Sequence, residues 1–432
     1  MRDLKRFLQR LFVFILPLLV IVAVQMPTAS QEAQPTGRIA YIGEDRNIYI
    51  YDFESDETIP VTDDAELTRR YQYPTWSTDG RLAYFCCEFG GANTPVLEAH
   101  VLSPDDAESH MVYEAEGEAF TYAGWSPSNN CADLDSCRQL AVLVSQASAG
   151  EFKVELIQDN IDGAAASDHV NVGTGAPFYF SWSPDGSQMA WQRNNQFIDI
   201  YQVEKNSVVD SLELGSAGFP APMWSPVDDR VLLADRDAEV AGLSLSTIES
   251  LNRNILTEDV GGFVAFNWSP DGQYVAYRTV ENNGFGNVEV IDAATGESIM
   301  TSRDGAIAFF WSPDSSKIAY VTLIEVSNSQ SASYQPLLQQ QGDFALVWTV
   351  MSLEETATTY FDTFVPTPEM IYILTYFDQF AQSHRVWSPD SRYMVYGEFL
   401  EEGVAQVTIL DTEDESALPF SIADGSLGVW SY

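Results

Sequence analysis

The chain has 432 residues, with 63 acidic side chains against 21 basic ones and a formal net charge of −42. Such an acidic chain will not track a nucleic-acid backbone or dock on an anionic membrane, because both need clustered Lys and Arg. With 45% hydrophobic and 19% charged residues, it can bury a large core and does not read as a disordered polymer.

Arg2, Lys5, Arg6 and Arg10 precede an apolar run from Leu11 to Val24. The run is shorter than the roughly 20 residues of a membrane span, and a basic start before a short apolar run reads as a secretory signal. Thr28, Ala29 and Ser30 supply small residues for cleavage. Residues 1–30 are expected to form a signal peptide or N-terminal anchor, and 31–36 a short linker. An uncleaved segment is the one membrane contact this reading allows. The expected location is extracytoplasmic: secreted, periplasmic or attached to the cell envelope.

From there the sequence repeats. Trp-Ser occurs at Trp76, Trp125, Trp182, Trp224, Trp268, Trp311, Trp387 and Trp430. Turn residues follow most of them, as in Ser183-Pro184-Asp185-Gly186 and Ser269-Pro270-Asp271-Gly272. Pro and Asp-Gly at those places are hairpin chemistry. An apolar strand comes next, for example Tyr274-Val-Ala-Tyr or Lys317-Ile-Ala-Tyr-Val, and then further strands such as Ile198-Asp-Ile-Tyr and Asn287-Val-Glu-Val-Ile. Four short strands in a unit of about 40–50 residues make a propeller blade.

The ends complement each other. Arg38-Ile-Ala-Tyr is a second-strand sequence with no Trp-Ser before it, and Val429-Trp-Ser-Tyr432 is a first strand with no second strand after it. The C-terminal strand is expected to join the N-terminal strands in one composite blade, which closes the ring and removes sheet edges. The fold class is thus all-β, a single propeller over 37–432. The strand count gives eight four-stranded blades, or seven if one irregular unit is only an insertion. The recurring tryptophans are read as packing between blades rather than as channel lining. The turn aspartates are read as partners of their own turn amides rather than calcium ligands.

Cys86 and Cys87 are adjacent on a predicted strand, and Cys131 and Cys137 bracket a polar loop. Export permits disulfides among them, and all three pairings stay open. No His or Cys pair has zinc-finger spacing, so no metal is expected. The chain has no G-x-S-x-G, phosphate-binding loop or H-E-x-x-H. No catalytic residue stands out and no cofactor is expected.

The longest gap between repeats, Trp311 to Trp387, holds two insertions. Residues 327–342 form a Ser/Gln-rich loop. Residues 367–385 read as a helix, capped by Thr367, with Pro368 at its first position and Glu369 favouring the dipole. Met370, Ile371, Leu374, Phe377 and Phe380-Ala381 recur on one face. Up-and-down topology places both insertions on the face opposite the Trp-Ser-Pro turns. There the helix either recruits a partner or plugs the channel.

The same face is expected to gather scarce basic residues: Arg69, Arg70, Arg303, His384 and Arg385. With Phe377 and Asp378 they are the candidate ligand-binding residues, as a local anion or carboxylate site. The alternative is that each pairs with acids such as Asp63, Asp64, Asp304 and Asp378.

Trp-Ser-Pro-Asp-Gly followed by an Ile/Leu-Ala-Tyr/Phe strand resembles the TolB-type, WD-repeat-like propeller family, whose blades also occur beside hydrolase domains in the dipeptidyl-peptidase group. The resemblance covers nearly all of 37–432 and implies a propeller. Its members include periplasmic scaffold proteins, peptidase gating domains and polysaccharide lyases. TolB itself has six blades and a separate N-terminal domain, which this chain does not match. The expected function is an exported, non-catalytic, monomeric scaffold that binds a protein or peptide partner on the helix-bearing face. The rival is an enzyme or polysaccharide-binding protein with its site at the channel mouth.

Overall fold

The computed structural model of the chain describes residues 34–88, 95–104, 108–127, 139–146, 151–158, 169–175, 179–194, 196–213, 222–235, 244–249, 252–258, 260, 263–281, 284–325, 344–355, 357–400, 403–414, 416 and 418–432. Residues 1–30, the 327–342 loop, Cys131 and Cys137 lie outside them, as does the Cys87 side chain. Cys86 is buried in the strand Leu82–Glu88.

The body Thr36–Tyr432 is an all-β propeller, with two short helices among the described residues. Seven sheets build it. Six have four antiparallel strands in chain order, over 69–116, 118–175, 180–213, 223–257, 264–305 and 308–364. The seventh has six strands, in the order Tyr393–Phe399, Ala405–Asp411, Phe420–Trp430, Arg38–Gly43, Ile48–Asp52 and Glu57–Pro60.

The expected eight blades are therefore seven. The count of Trp-Ser segments splits the last unit from the composite terminal one, whereas Phe420–Trp430 is a single strand shared by both. Its first half pairs with Ala405–Asp411, Gln406 facing Asp424. Its second half pairs with Arg38–Gly43, Ile39 facing Trp430. The Trp387 segment adds only isolated bridges, Trp387 to Met394 and Arg385 to Trp430. Two glycines permit the hand-over. A Cβ on Gly397 would lie 2.0 Å from the Ser426 carbonyl oxygen, and one on Gly425 would lie 2.4 Å from that of Ile42.

Burial follows strand position. Second strands are mostly apolar and buried along nearly their whole length, as in Val231–Asp235 and Tyr393–Phe399, because neighbouring blades cover both faces. Outer strands such as Glu57–Pro60 and Ser207–Glu213 are mostly exposed and carry acid and hydroxyl groups.

The turns repeat one hydrogen-bond pattern. Ser183, Ser269 and Ser312 each donate from Oγ to Oδ1 of Asp185, Asp271 and Asp314, at 2.6 Å in all three. The same Oγ atoms accept the backbone N–H of Gln188, Tyr274 and Lys317 at 2.9 Å. Gly186 and Gly272 take φ 69° after the aspartate. The aspartates thus act within their turns, as expected from their local chemistry.

The tryptophans join neighbouring blades. Nε1 of Trp125 donates to the Thr75 carbonyl (3.0 Å), Trp182 to Gly124 (3.2 Å), Trp268 to Met223 (3.0 Å) and Trp387 to Phe310 (3.1 Å). Each acceptor directly precedes a repeat tryptophan of another blade. A bulky ring with one donor is suited to fill such a seam and satisfy a buried carbonyl.

Candidate functional site

The inserted segment occupies the middle of the ring. Helix α1 (Pro368–Thr375) is capped by Thr367, whose Oγ1 accepts the Met370 N–H at 3.2 Å, and Pro368 sits in its first turn. Glu369 in that turn pairs with Arg46. The expected single helix breaks at Tyr376 (φ −115°), and helix α2 is only Phe377–Phe380. Met370, Ile373, Leu374, Phe377 and Phe380 are buried, while Ile371, expected on the apolar face, is exposed.

Contacts to several blades hold this plug. The Phe377 ring lies 4.7 Å from Phe309, and Phe380 lies 5.3 Å from Tyr122. Gln379 Nε2 donates to the Phe180 carbonyl (3.0 Å) and Tyr372 Oη to that of Thr121 (3.2 Å). The helix does not stand over one mouth as a free element. It is a stopper whose apolar side chains need the surrounding innermost strands for burial.

Burial perturbs titratable groups in and around the plug. Burial pushes Asp378 up to about 6, partly offset by the Arg278 guanidinium. Burial pulls Arg278 down to about 10; its Nε donates to the Ile307 carbonyl (2.9 Å), and its guanidinium lies over Phe285 and Phe377. His384 is buried and driven down to about 3 by desolvation, so the imidazole is neutral. Its nitrogens lie 2.8 Å from Ser383 Oγ and 3.2 Å from Thr75 Oγ1.

Beyond the plug, at the Trp-Ser-Pro turns, is a cavity of about 620 Å³. Pro127, Pro184, Pro226, Pro270 and Pro313 line its rim, and repeat tryptophans line its wall. Ala381, Gln382, His384 and Arg385 close it from behind. The Arg385 guanidinium stacks over the Tyr432 ring at 3.5 Å.

The structure scatters the expected basic cluster. Arg69 is held by Glu98 (2.7 Å) and Asp64 (3.2 Å), and the Glu98 pairing raises its pKa. Arg70 is exposed, in a shallow groove with Glu44, Asp45, Arg46 and Glu66. Arg303 is exposed on the outer strand Ser298–Gly305. His384 and Arg385 line the cavity, while Phe377 and Asp378 belong to the plug. The sequence reading missed Tyr432, Gln382 and the turn prolines as cavity residues. The prolines were legible as a repeat. Their convergence at one mouth was not, because it depends on ring geometry. Among the described residues, no group of three or more His, Cys, Asp or Glu could hold a metal ion, and no helix is long and apolar enough to cross a membrane.

The fold defines the chain as a β-propeller. It is similar in structure to a eukaryotic initiation factor (12% identity, 91% of this chain and 98% of that chain, TM-score 0.53). It is also similar to TolB from Acinetobacter baumannii (12% identity, 80% and 81%, TM-score 0.39). A third similar structure is the β-propeller domain of the Trilobed protease from Pyrococcus furiosus (10% identity, 83% and 97%, TM-score 0.47). At these identities the likeness is one of fold. No family model and no curated protein matches the chain.

Proposed function

We propose that this chain is an exported, non-catalytic binding propeller, whose protein or peptide partner inserts a segment into the cavity at the Trp-Ser-Pro mouth. The carrying observation is the cavity itself: about 620 Å³, rimmed by prolines of rigid turns and closed behind by the plug. A concave site on a stiff scaffold, with aromatic rings and prolines beside polar side chains such as Asn267, Gln382 and Arg385, has the form of a binding pocket. This moves the binding face from the expected side to the opposite one, because the helix is spent on filling the channel. Export rests on the basic and apolar pattern of residues 1–30. Ring closure rests on the pairing of Phe420–Trp430 with Arg38–Gly43.

Selection of displayed peptides on the immobilised protein tests the reading, with Ala381→Trp as the filled-cavity variant. Selected peptides should bind the wild type and lose affinity for Ala381→Trp, with thermal stability kept. Undiminished binding to that variant sinks the cavity as the site. The aromatic walls would also suit sugar rings, so an oligosaccharide panel run alongside addresses the rival reading.

A further inference from the structure

Most described arginines of this acidic chain are neutralised in place. Arg38, Arg193, Arg253 and Arg392 hold Asp52, Asp199, Asp235 and Asp411. Arg385 differs. It is half-buried where it lines the cavity, and among the described residues no carboxylate forms an ion pair with it, unlike the arginines above. Its guanidinium face lies on the Tyr432 ring. Stacking fixes the plane and leaves the edge N–H groups to meet a planar acceptor, which is the geometry of a bidentate carboxylate pair.

Two further features narrow the ligand. The cavity is blind: a chain entering from the turns meets Ala381, Gln382 and His384, with Phe377 and Phe380 packed behind them. A chain that enters must end or double back. The rim has the opposite charge. Exposed Asp185, Asp271 and Asp314 directly follow the rim prolines Pro184, Pro270 and Pro313. A ligand with a negative end and a positive flank complements both zones.

We infer that the cavity takes the carboxyl-terminal end of a basic peptide, its α-carboxylate on Arg385 and its upstream Lys or Arg residues facing the turn aspartates. This rests on the cavity being a peptide site. The last side chain would lie against the tryptophan wall, and the penultimate peptide group would be within reach of Gln382.

The test uses the full secreted chain and a pool of lysine-flanked random hexapeptides, as free acids and as carboxyl-terminal amides. The wild type should retain the free acids about tenfold or more over the amides, the size expected for a charge-assisted pair. Arg385→Gln should retain both forms alike, with an unchanged melting temperature. Equal retention of both forms by the wild type overturns the carboxylate assignment while leaving the peptide site standing. Retention of neither pool overturns both, whether or not an oligogalacturonate is bound instead. The acid-to-amide comparison needs only wild-type protein, so a poorly folding variant does not blunt it.

Discussion

The indole Nε1 of Trp76 donates to the carbonyl oxygen of Val429 at 3.2 Å, across 353 positions of sequence. It is the same bond that Trp125, Trp182, Trp268 and Trp387 make, formed here between the first repeat and the C-terminal strand. Replacing Trp76, Trp125 or Trp268 by Phe removes both the donor and some ring volume. Trp224→Phe removes the same volume from a buried indole whose Nε1 has no hydrogen-bond partner. The three bonded sites should each lose about 1 kcal/mol more than Trp224, the cost of orphaning a buried carbonyl. Urea unfolding of the four variants measures it.

The plug should behave as core and not as a surface element. Phe377→Ala deletes a fully buried ring packed on Phe309 and Phe310, and should cost about 3–5 kcal/mol. Ile371→Ala, on the exposed side of the same helix, should stay within about 0.5 kcal/mol. Similar losses at both sites would contradict the plug geometry.

Asp378 and His384 should bend the pH–stability curve in opposite directions. Asp378 has its folded pKa raised from 3.8 to about 6. Between those values the folded state binds more protons, so Asp378 makes stability fall as pH rises, flattening above 6. Asp378→Asn should stabilise by on the order of 1 kcal/mol at pH 7 and remove that slope. His384 has its folded pKa lowered from 6.5 to about 3. Its contribution is complete above 6.5 and is lost as pH falls through that window, by up to about 1 kcal/mol per pH unit. His384→Gln should flatten the acid limb. Thermal melts from pH 4 to 8 resolve the two, and slopes of the same sign would refute the assignment.

The repeat turns should owe stability to the serine more than to the proline. Ser312 Oγ both donates to Asp314 and accepts the Lys317 N–H, so Ser312→Ala breaks two bonds at a buried site and should cost about 1–2 kcal/mol. Pro313→Ala alters only a rim contact and should cost less than half as much. Denaturant midpoints of the two variants decide the order.

Eight Trp-Ser segments, their turn residues and the apolar strands after them were enough to read an all-β propeller, because strand alternation and hairpin chemistry are local. The Thr367 cap and Pro368 start of the inserted helix were legible for the same reason, since a cap involves only the next turn. The blade number was not. Whether Phe420–Trp430 ends one unit or begins another depends on what pairs with each half, and those partners lie at opposite ends of the chain. The break at Tyr376 and the exposure of Ile371 were hidden likewise, because the plug's buried side is set by the surrounding strands and not by its own periodicity.

The candidate site divides in the same way. Composition and repeat pattern alone establish that few basic groups sit among many acids and that proline and aspartate recur after tryptophan. Folding settled which of those groups meet. It paired Arg69 with Glu98, left Arg303 on an outer strand, and put Arg385 on Tyr432 at the floor of a cavity ringed by turn prolines. Charge balance is a property of composition, but an ion pair or a pocket wall is a distance, and distances between repeats are fixed only when the blades assemble.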